Sequence, residues 1–414
     1  MLLALCDCNN FFVSCERVRD PSLQGRPVIV LSHNDGCVVA RSNEAKALGI
    51  GMAVPFFSVK GLCVNRKVAV LGGDHRYYRE MSGRVMALLM TMVPEVEVSS
   101  IDEAYLLLSG PHEEKVSAFC GSVRDSVWKS LGIPLSVGVS GTKTLAKAAS
   151  HFAKKIPELN GVCVLLPHTG EDMLSGMDAR DVWGVGSRGA ETLRRSGVKT
   201  ALKLREFDED RAERIFPLGI RRAIAELNGR TCYPFASEGA RRKTVQVAPS
   251  FSGQCGSLEE LQDAAASYAA EAAATMRSEG QVCRTVQVGL ATDPFSRNQA
   301  YLEDTGEVSL EEPTDYTPDI ARAARKGVAG IFRPTTMYKR VSVILKDLER
   351  SDMMQMSLFR DEKCERNLRL MKALDGINSR LGSGTVKLGS QYTDPKERGI
   401  TPAEKPGRKV LDPE

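Results

Sequence analysis

The chain has 414 residues, 42% hydrophobic and 26% charged, with a formal net charge of +4 at pH 7, a balance that suits a globular protein of two to four domains. No stretch approaches the ~18 consecutive apolar residues that cross a bilayer. The short apolar start, Met1 to Cys6, runs into Asp7 without a basic flank, so a secretory leader is not expected either. The 11 cysteines contain no C-x-x-C pair, which argues against zinc and for a reduced, cytoplasmic chain. With so small a net charge, a nucleic-acid partner has to be met by local clusters of Lys and Arg.

In chain order, Leu2–Leu5 and Arg26–Leu31 are apolar runs that predict central strands, joined by a polar-aromatic connection over Phe11–Gly25. Cys37–Ala40 predicts a strand, and Ser42–Leu48 a helix stopped by Gly49. Tyr77–Met92 is amphipathic and helical up to Pro94. Val96 and Val98 alternate with polar residues and Ala104–Leu108 is apolar, so residues 95–108 predict a hairpin with Asp102 and Glu103 near its turn. A helix over Glu113–Leu131, a strand over Leu135–Val139 and a helix over Thr142–Lys155 complete an α/β domain with a small insert. Short helices punctuated by glycine follow from Asp178 to Gly229, and Ala236–Lys243 reads as a linker. Strands over Thr244–Ser250, Val282–Thr292, 299–310 and Tyr338–Leu348, with helices over Leu258–Glu279 and Asp319–Phe332, give the order β-α-β-β-α-β of an independent α+β domain. From Ser351 the apolar periodicity fades, and beyond Tyr392 the composition predicts disorder.

Three motifs carry chemistry. Asp7-Cys8-Asn9-Asn10-Phe11-Phe12 puts a carboxylate at the end of a buried strand, which is costly unless a cation neutralises it; alone, it reads equally as a helix cap. Ser99-Ser100-Ile101-Asp102-Glu103-Ala104 holds adjacent acids that converge only at a turn or bulge; alone, it reads as an exposed hairpin tip. Together they place three carboxylates at strand ends of one domain, an oxygen-donor set that suits Mg²⁺. The third is basic: Lys143, Lys147 and Lys154 share one face of a helix that also carries His151 and Lys155. That face is either a solvated surface or a cationic wall for a triphosphate, with Arg41 and Lys46 opposite.

These motifs occur in order with Asn34-Asp35-Gly36-Cys37-Val38, Glu44-Ala45-Lys46-Ala47-Leu48-Gly49, Lys143-Thr144-Leu145-Ala146-Lys147, Trp183-Gly184-Val185-Gly186 and Cys283-Arg284. The sequence thereby resembles the Y-family of translesion DNA polymerases over residues 1–390. The resemblance implies an α+β multidomain, right-hand polymerase. Its ferredoxin-like palm would take residues 1–10 and 76–166, its small fingers insert 11–75, and its helical helix-hairpin-helix thumb 167–235. A β-α-β-β-α-β little finger would take 236–348, and a partly disordered clamp- and partner-binding tail 349–414. No length is left for a proofreading exonuclease.

For the site, the resemblance implies that Asp7, Asp102 and Glu103 hold two Mg²⁺ ions together with the Cys8 backbone carbonyl. Phe12 would be the aromatic gate beneath the deoxyribose, with Phe11 beside it, and Arg41, Lys46 and Lys154 would meet the triphosphate. Asn43 departs from the tyrosine of archaeal relatives. Duplex DNA would be held by Lys143, Lys147, Gly184, Gly186, Arg188, Arg194 and Arg195, and in the little finger by Arg241, Arg242, Lys243 and Arg284. Gln355-Met356-Ser357-Leu358-Phe359 resembles the peptide that docks bacterial polymerases on the sliding clamp. The implied partners are primer-template DNA, dNTP, the clamp, a UmuD-type accessory dimer and RecA. A self-sufficient DinB-like enzyme and a catalytically silent DNA-binding scaffold are the alternatives; a palm-fold nucleotide cyclase leaves the thumb, little finger and clamp peptide unexplained.

Overall fold

The computed structural model describes residues 2–32, 36–108, 113–166, 170–236, 242–296, 299–352, 362–382, 384–389 and 410–411. From the N-terminus, β1 (Leu2–Cys8) is followed by α1 (Phe11–Arg19), β2 (Val28–Leu31), β3 (Val38–Arg41), α2 (Asn43–Ala47), α3 (Phe56–Asn65) and β4 (Ala69–Gly72). Next come α4 (His75–Met92), β5 (Val96–Val98), β6 (Glu103–Leu108), α5 (Glu113–Leu131), β7 (Leu135–Ser140), α6 (Lys143–Lys155) and β8 (Val162–Val164). Five helices then follow: α7 (Glu171–Gly176), α8 (Ser187–Arg195), α9 (Ala201–Arg205), α10 (Glu209–Ile215) and α11 (Leu218–Leu227). The remainder comprises β9 (Val245–Val247), β10 (Ser250–Cys255), α12 (Leu258–Ser278), β11 (Gln281–Ala291), β12 (Glu303–Thr314), α13 (Thr317–Ile331), β13 (Tyr338–Arg350), α14 (Glu362–Leu381) and β14 (Val410–Leu411). Two units emerge, residues 1–240 with 406–414, and residues 241–405.

In the first unit β1 is the centre of a five-stranded sheet ordered β5-β6-β1-β7-β8. The two-residue period of a strand sorts its side chains. Ala4, Cys6 and Cys8 pack with Met81 and Val85 of α4 and Cys120 of α5, whereas Leu3 and Leu5 pack with Tyr105 and with Ala146 of α6. Asp7 therefore continues the row that faces α6. That helix lies hard against the sheet at Gly138, where a Cβ would stand 2.1 Å from the Ser150 nitrogen. Its outer apolar face, Leu145, Ala149 and Phe152, packs with Leu174, Leu193, Ile220 and Leu227 of the short helices. A second sheet, β14-β4-β2-β3, pairs β2 with β4 in parallel. Its β14 runs antiparallel to β4 with Val410 opposite Leu71.

The second unit pairs strands in the order β10-β13-β11-β12, with β9 also on β13. Leu261 and Ala269 of α12 and Ile320 and Ala324 of α13 pack on Val286, Val288, Val343 and Leu345 of the sheet. The expected β-α-β-β-α-β order is present, with its third strand displaced to Glu303–Thr314 and its first divided between β9 and β10.

Three expectations are corrected. Phe11–Arg19 is helix where a connection was expected, α3 and β4 were not foreseen, and α14 forms where periodicity fades after Ser351. In α14, Met371 is buried, and Asp375 takes both Nε (2.7 Å) and Nη2 (2.9 Å) of Arg277 from α12. Most of the stretch beyond Tyr392, where disorder was expected, lies outside the described residues; Val410–Leu411 is a strand.

Candidate active site

Asp7 and Glu103 are cross-strand neighbours, because β1 and β6 pair antiparallel with Asp7 opposite Glu103. Side chains opposite one another in adjacent strands share a face, so both carboxylates meet α6. Asp102 lies in the bend before β6, where its carbonyl accepts the Cys8 amide at 2.9 Å and its Oδ1 accepts the Ser100 hydroxyl at 2.6 Å. These bonds fix the bend that carries Asp102 beside the start of β6. The side chains separate in role: Cys8 is buried and its thiol is pushed well above its ordinary value by burial.

Two turns of α6 supply the countercharge. Lys154 Nζ stands 2.5 Å from Asp7 Oδ2, and Lys147 Nζ donates to Glu103 Oε2 at 3.1 Å and Oε1 at 3.3 Å. Burial raises the Asp7 pKa above the usual carboxylate value; Lys154 opposes the shift, while Glu103 and Asp102 add to it. The expected row of three lysines is thus divided. Lys143 is buried, paired with Glu97, and its ammonium lies 5.1 Å over the Tyr105 ring.

On the other side, Lys46 Nζ donates to Asn10 Oδ1 at 2.6 Å and to Asn43 Oδ1 at 3.3 Å. Burial lowers its pKa, Arg41 and Lys154 lower it further, and Asp7 opposes. Arg41, Lys154 and Asp7 therefore lie within electrostatic reach of Lys46. Arg41 donates through Nη1 to the Ile50 carbonyl, and its buried Nε has no partner among the described residues. Phe12 is half-buried and stacks on Tyr78 at 4.4 Å with 12° between the planes, with His75 edge-on at 5.8 Å and Phe11 also at 5.8 Å. Tyr78 is held in turn by its hydroxyl, which donates to Glu16 Oε1 at 2.9 Å. The Phe12 ring therefore rests on a fixed floor.

Gly184 has φ +91°, and a Cβ there would stand 3.1 Å from the Gly219 carbonyl oxygen; Gly186 caps α8. Arg188 is exposed, whereas Arg194 and Arg195 both pair with Glu191. In the second unit Lys243 is exposed, Arg242 pairs with Glu279 at 3.1 Å, and Arg284 is 4.0 Å from Glu349. Arg241, Gln355, Ser357, Leu358 and Phe359 lie outside the described residues. Sequence reasoning missed Glu97, Tyr78 and Glu226. Buried Glu226 accepts the Thr144 amide on Oε2 at 2.8 Å, and on Oε1 those of Cys232 at 2.9 Å and Tyr233 at 3.0 Å. Only the paired aromatics at 77 and 78 gave any local signal.

Among the described residues, no three carboxylate, imidazole or thiol groups stand close enough together to hold a metal ion. Asp7 and Glu103 are each engaged by a lysine instead. Their oxygens are hard donors of the kind a divalent ion takes, and an ion there would compete with the two lysines. No described helix is long and apolar enough to cross a membrane.

The fold is that of the Y-family DNA polymerases. A Y-family chimera of Dbh carrying a Dpo4 segment superposes with a TM-score of 0.69 at 21% identity, covering 84% of this chain and all of that one. An insertion ternary complex of Dbh polymerase gives 0.59 at 19% identity over 84% of this chain. This fold, together with the family and the relatives that follow, makes the class translesion DNA-directed DNA polymerase. Residues 6–151 match the impB/mucB/samB family and residues 242–358 its C-terminal domain, while residues 368–396 match a domain of unknown function. Protein UmuC of Salmonella typhimurium is 37% identical over 94% of this chain and 93% of its own length. DNA polymerase IV of Desulfatibacillum aliphaticivorans is 30% identical over 94% and 96%. The chain belongs to the impB/mucB/samB family of Y-family polymerases.

Proposed function

We propose that this chain extends a primer 3′-end with dNTPs opposite damaged template bases, in the SOS response to DNA damage. The carrying observation is the Asp7–Glu103 cross-strand pair, with Asp102 beside it, facing Lys147 and Lys154. Two Mg²⁺ ions suit this donor set. Asp7 and Asp102 would serve both ions, Glu103 the one that acts on the primer 3′-oxygen, and the Cys8 carbonyl the one that acts on the nucleotide. Bound there, they would acidify the 3′-hydroxyl and neutralise the triphosphate.

The protein's own groups do the positioning. Lys154, Lys46 and Arg41 would meet a triphosphate, orient its phosphates and balance charge that spreads in the transition state. Asn43 would act through Lys46 in place of a tyrosine hydroxyl. Phe12, backed by Tyr78, would leave no room for a 2′-hydroxyl, with Phe11 packed beneath. Residues 1–10 and 76–166 would form the palm, 11–75 the fingers, 167–235 the thumb and 236–348 the little finger. Amides at Gly184 and Gly186, with Arg188, would meet duplex phosphates without reading sequence. Arg194, Arg195, Arg241, Arg242, Lys243 and Arg284 would add salt-sensitive grip. Residues 355–359 would dock on a sliding clamp, and residues 349–414 would serve a UmuD-type dimer and RecA.

Primer extension on a damaged template tests this, with and without clamp and accessory protein. Asp102→Ala should abolish synthesis while duplex binding survives; normal extension by that variant would refute the metal-site assignment. Extension by the wild-type chain alone would favour the self-sufficient DinB-like alternative.

A further inference from the structure

Lys147 differs from Lys154 in what holds it. Its ammonium bridges both oxygens of Glu103, and it also lies 5.0 Å over the Trp183 ring. Trp183 packs on Tyr233 at 4.7 Å and directly precedes Gly184. Tyr233 in turn hangs by its amide on Glu226, whose other oxygen takes the Thr144 amide at the start of α6. The contacts close a circuit that leaves α6 through Glu226 and returns to it through Trp183 and Lys147. The position of the Lys147 ammonium is therefore set by the helical module around the Gly184–Gly186 hairpin as well as by α6. Resting on the polymerase reading above, we propose that Lys147 is a positioning residue. It holds Glu103 in one orientation, and Trp183 couples that orientation to the hairpin that would grip the duplex.

A carboxylate held through both oxygens keeps its plane when a metal and a 3′-oxygen arrive; one held by nothing rotates. Misplacement at this point acts on the chemical step. Binding of the triphosphate belongs to Lys154, Lys46 and Arg41, so the nucleotide KM should be spared.

The chain has two tryptophans, Trp128 and Trp183. Trp128 is 52% exposed on α5, so Trp128→Phe leaves Trp183 as the sole indole reporter. In that full-length background, adding Mg²⁺ without DNA should change Trp183 emission, because a divalent charge beside Glu103 shifts the Lys147 ammonium over the ring. Lys147→Met should remove the response and lower kcat by about tenfold or more, with nucleotide KM held within about twofold. Trp183→Ala should lower kcat in the same sense, Trp183→Phe should largely restore it, and Trp183→Ala combined with Lys147→Met should be no worse than Lys147→Met alone. Lys147→Arg should recover part of kcat. Far-UV circular dichroism and the Tm of Lys147→Met, compared with the parent chain, serve as the folding control. The proposal is overturned if Trp183 ignores Mg²⁺ or if its response survives Lys147→Met. It is overturned equally if the kcat losses of Trp183→Ala and Lys147→Met multiply independently. An inert Asp102→Ala beside normal Lys147 and Trp183 variants would sink this inference alone; an active Asp102→Ala would sink the polymerase site itself.

Discussion

Lys154→Met tests whether the lysines of α6 hold the site against metal until nucleotide arrives. Asp7 is 14% exposed and Lys154 35%, at 2.5 Å, so the pair lies between two regimes. Exposed ion pairs contribute about 0–1 kcal/mol, whereas removing one partner of a fully buried pair costs about 3–5 kcal/mol. An intermediate figure of about 1–2 kcal/mol corresponds to roughly 5–30-fold in an equilibrium constant. With its competitor gone, Asp7 should bind a divalent ion more tightly by that factor. The triphosphate, having lost an ammonium, should bind more weakly. Mn²⁺ titration of the chain without DNA, read by electron paramagnetic resonance near pH 8, measures the first effect. A dideoxy-terminated primer complex titrated with dNTP measures the second. Loss of Lys154 also removes a cause that holds the Asp7 pKa down, hence the alkaline buffer. Unchanged Mn²⁺ affinity together with weakened dNTP binding would refute the competition and leave Lys154 a phosphate ligand only.

Phe12→Ala should lower discrimination against ribonucleotides, seen as the ratio of kcat/KM for dNTP and NTP, because on the proposed reading the ring on the Tyr78 floor would fill the 2′ position. Unchanged discrimination would reassign Phe12 to packing. Glu226→Ala strips the acceptor from the Thr144, Cys232 and Tyr233 amides. At about 1–3 kcal/mol per buried unpaired group, it should lower Tm by several degrees, with Glu226→Gln recovering part. His151 has its pKa lowered from 6.5 by burial and then by Lys155, against an opposing pull from Asp181. Its neutral form is favoured in the folded state. It therefore contributes stability that is present above the unfolded value of 6.5 and lost as pH falls below it. Denaturation of His151→Gln should show a shallower loss of stability below pH 6.5, and an imidazole titration midpoint above 6.5 would contradict the sign.

The carboxylates were legible because charge at the end of an apolar strand is costly. The hairpin around Asp102 and the helix over Glu113–Leu131 were legible from period alone. What was hidden was tertiary. Helical spacing put Lys143, Lys147 and Lys154 on one face, but only folding brings Glu97 over Lys143 and withdraws it from the row. α1 was weighed only as a helix that Asp7 would cap; its N-cap is Asn10, which makes no side-chain bond, and no acid stands in its first turn. α14 leans on Arg277, 98 residues from Asp375, a contact that no local window contains. Glu226 gave no signal at all, since its partners are main-chain amides of other segments.

The pairing of Val410–Leu411 with β4 bears on how the protein can be handled. A chain cut before Val410 would leave one flank of β4 bare, and an uncovered strand of alternating donors and acceptors is a template for neighbouring molecules. Shortened forms should then self-associate at concentrations where the full chain stays dispersed.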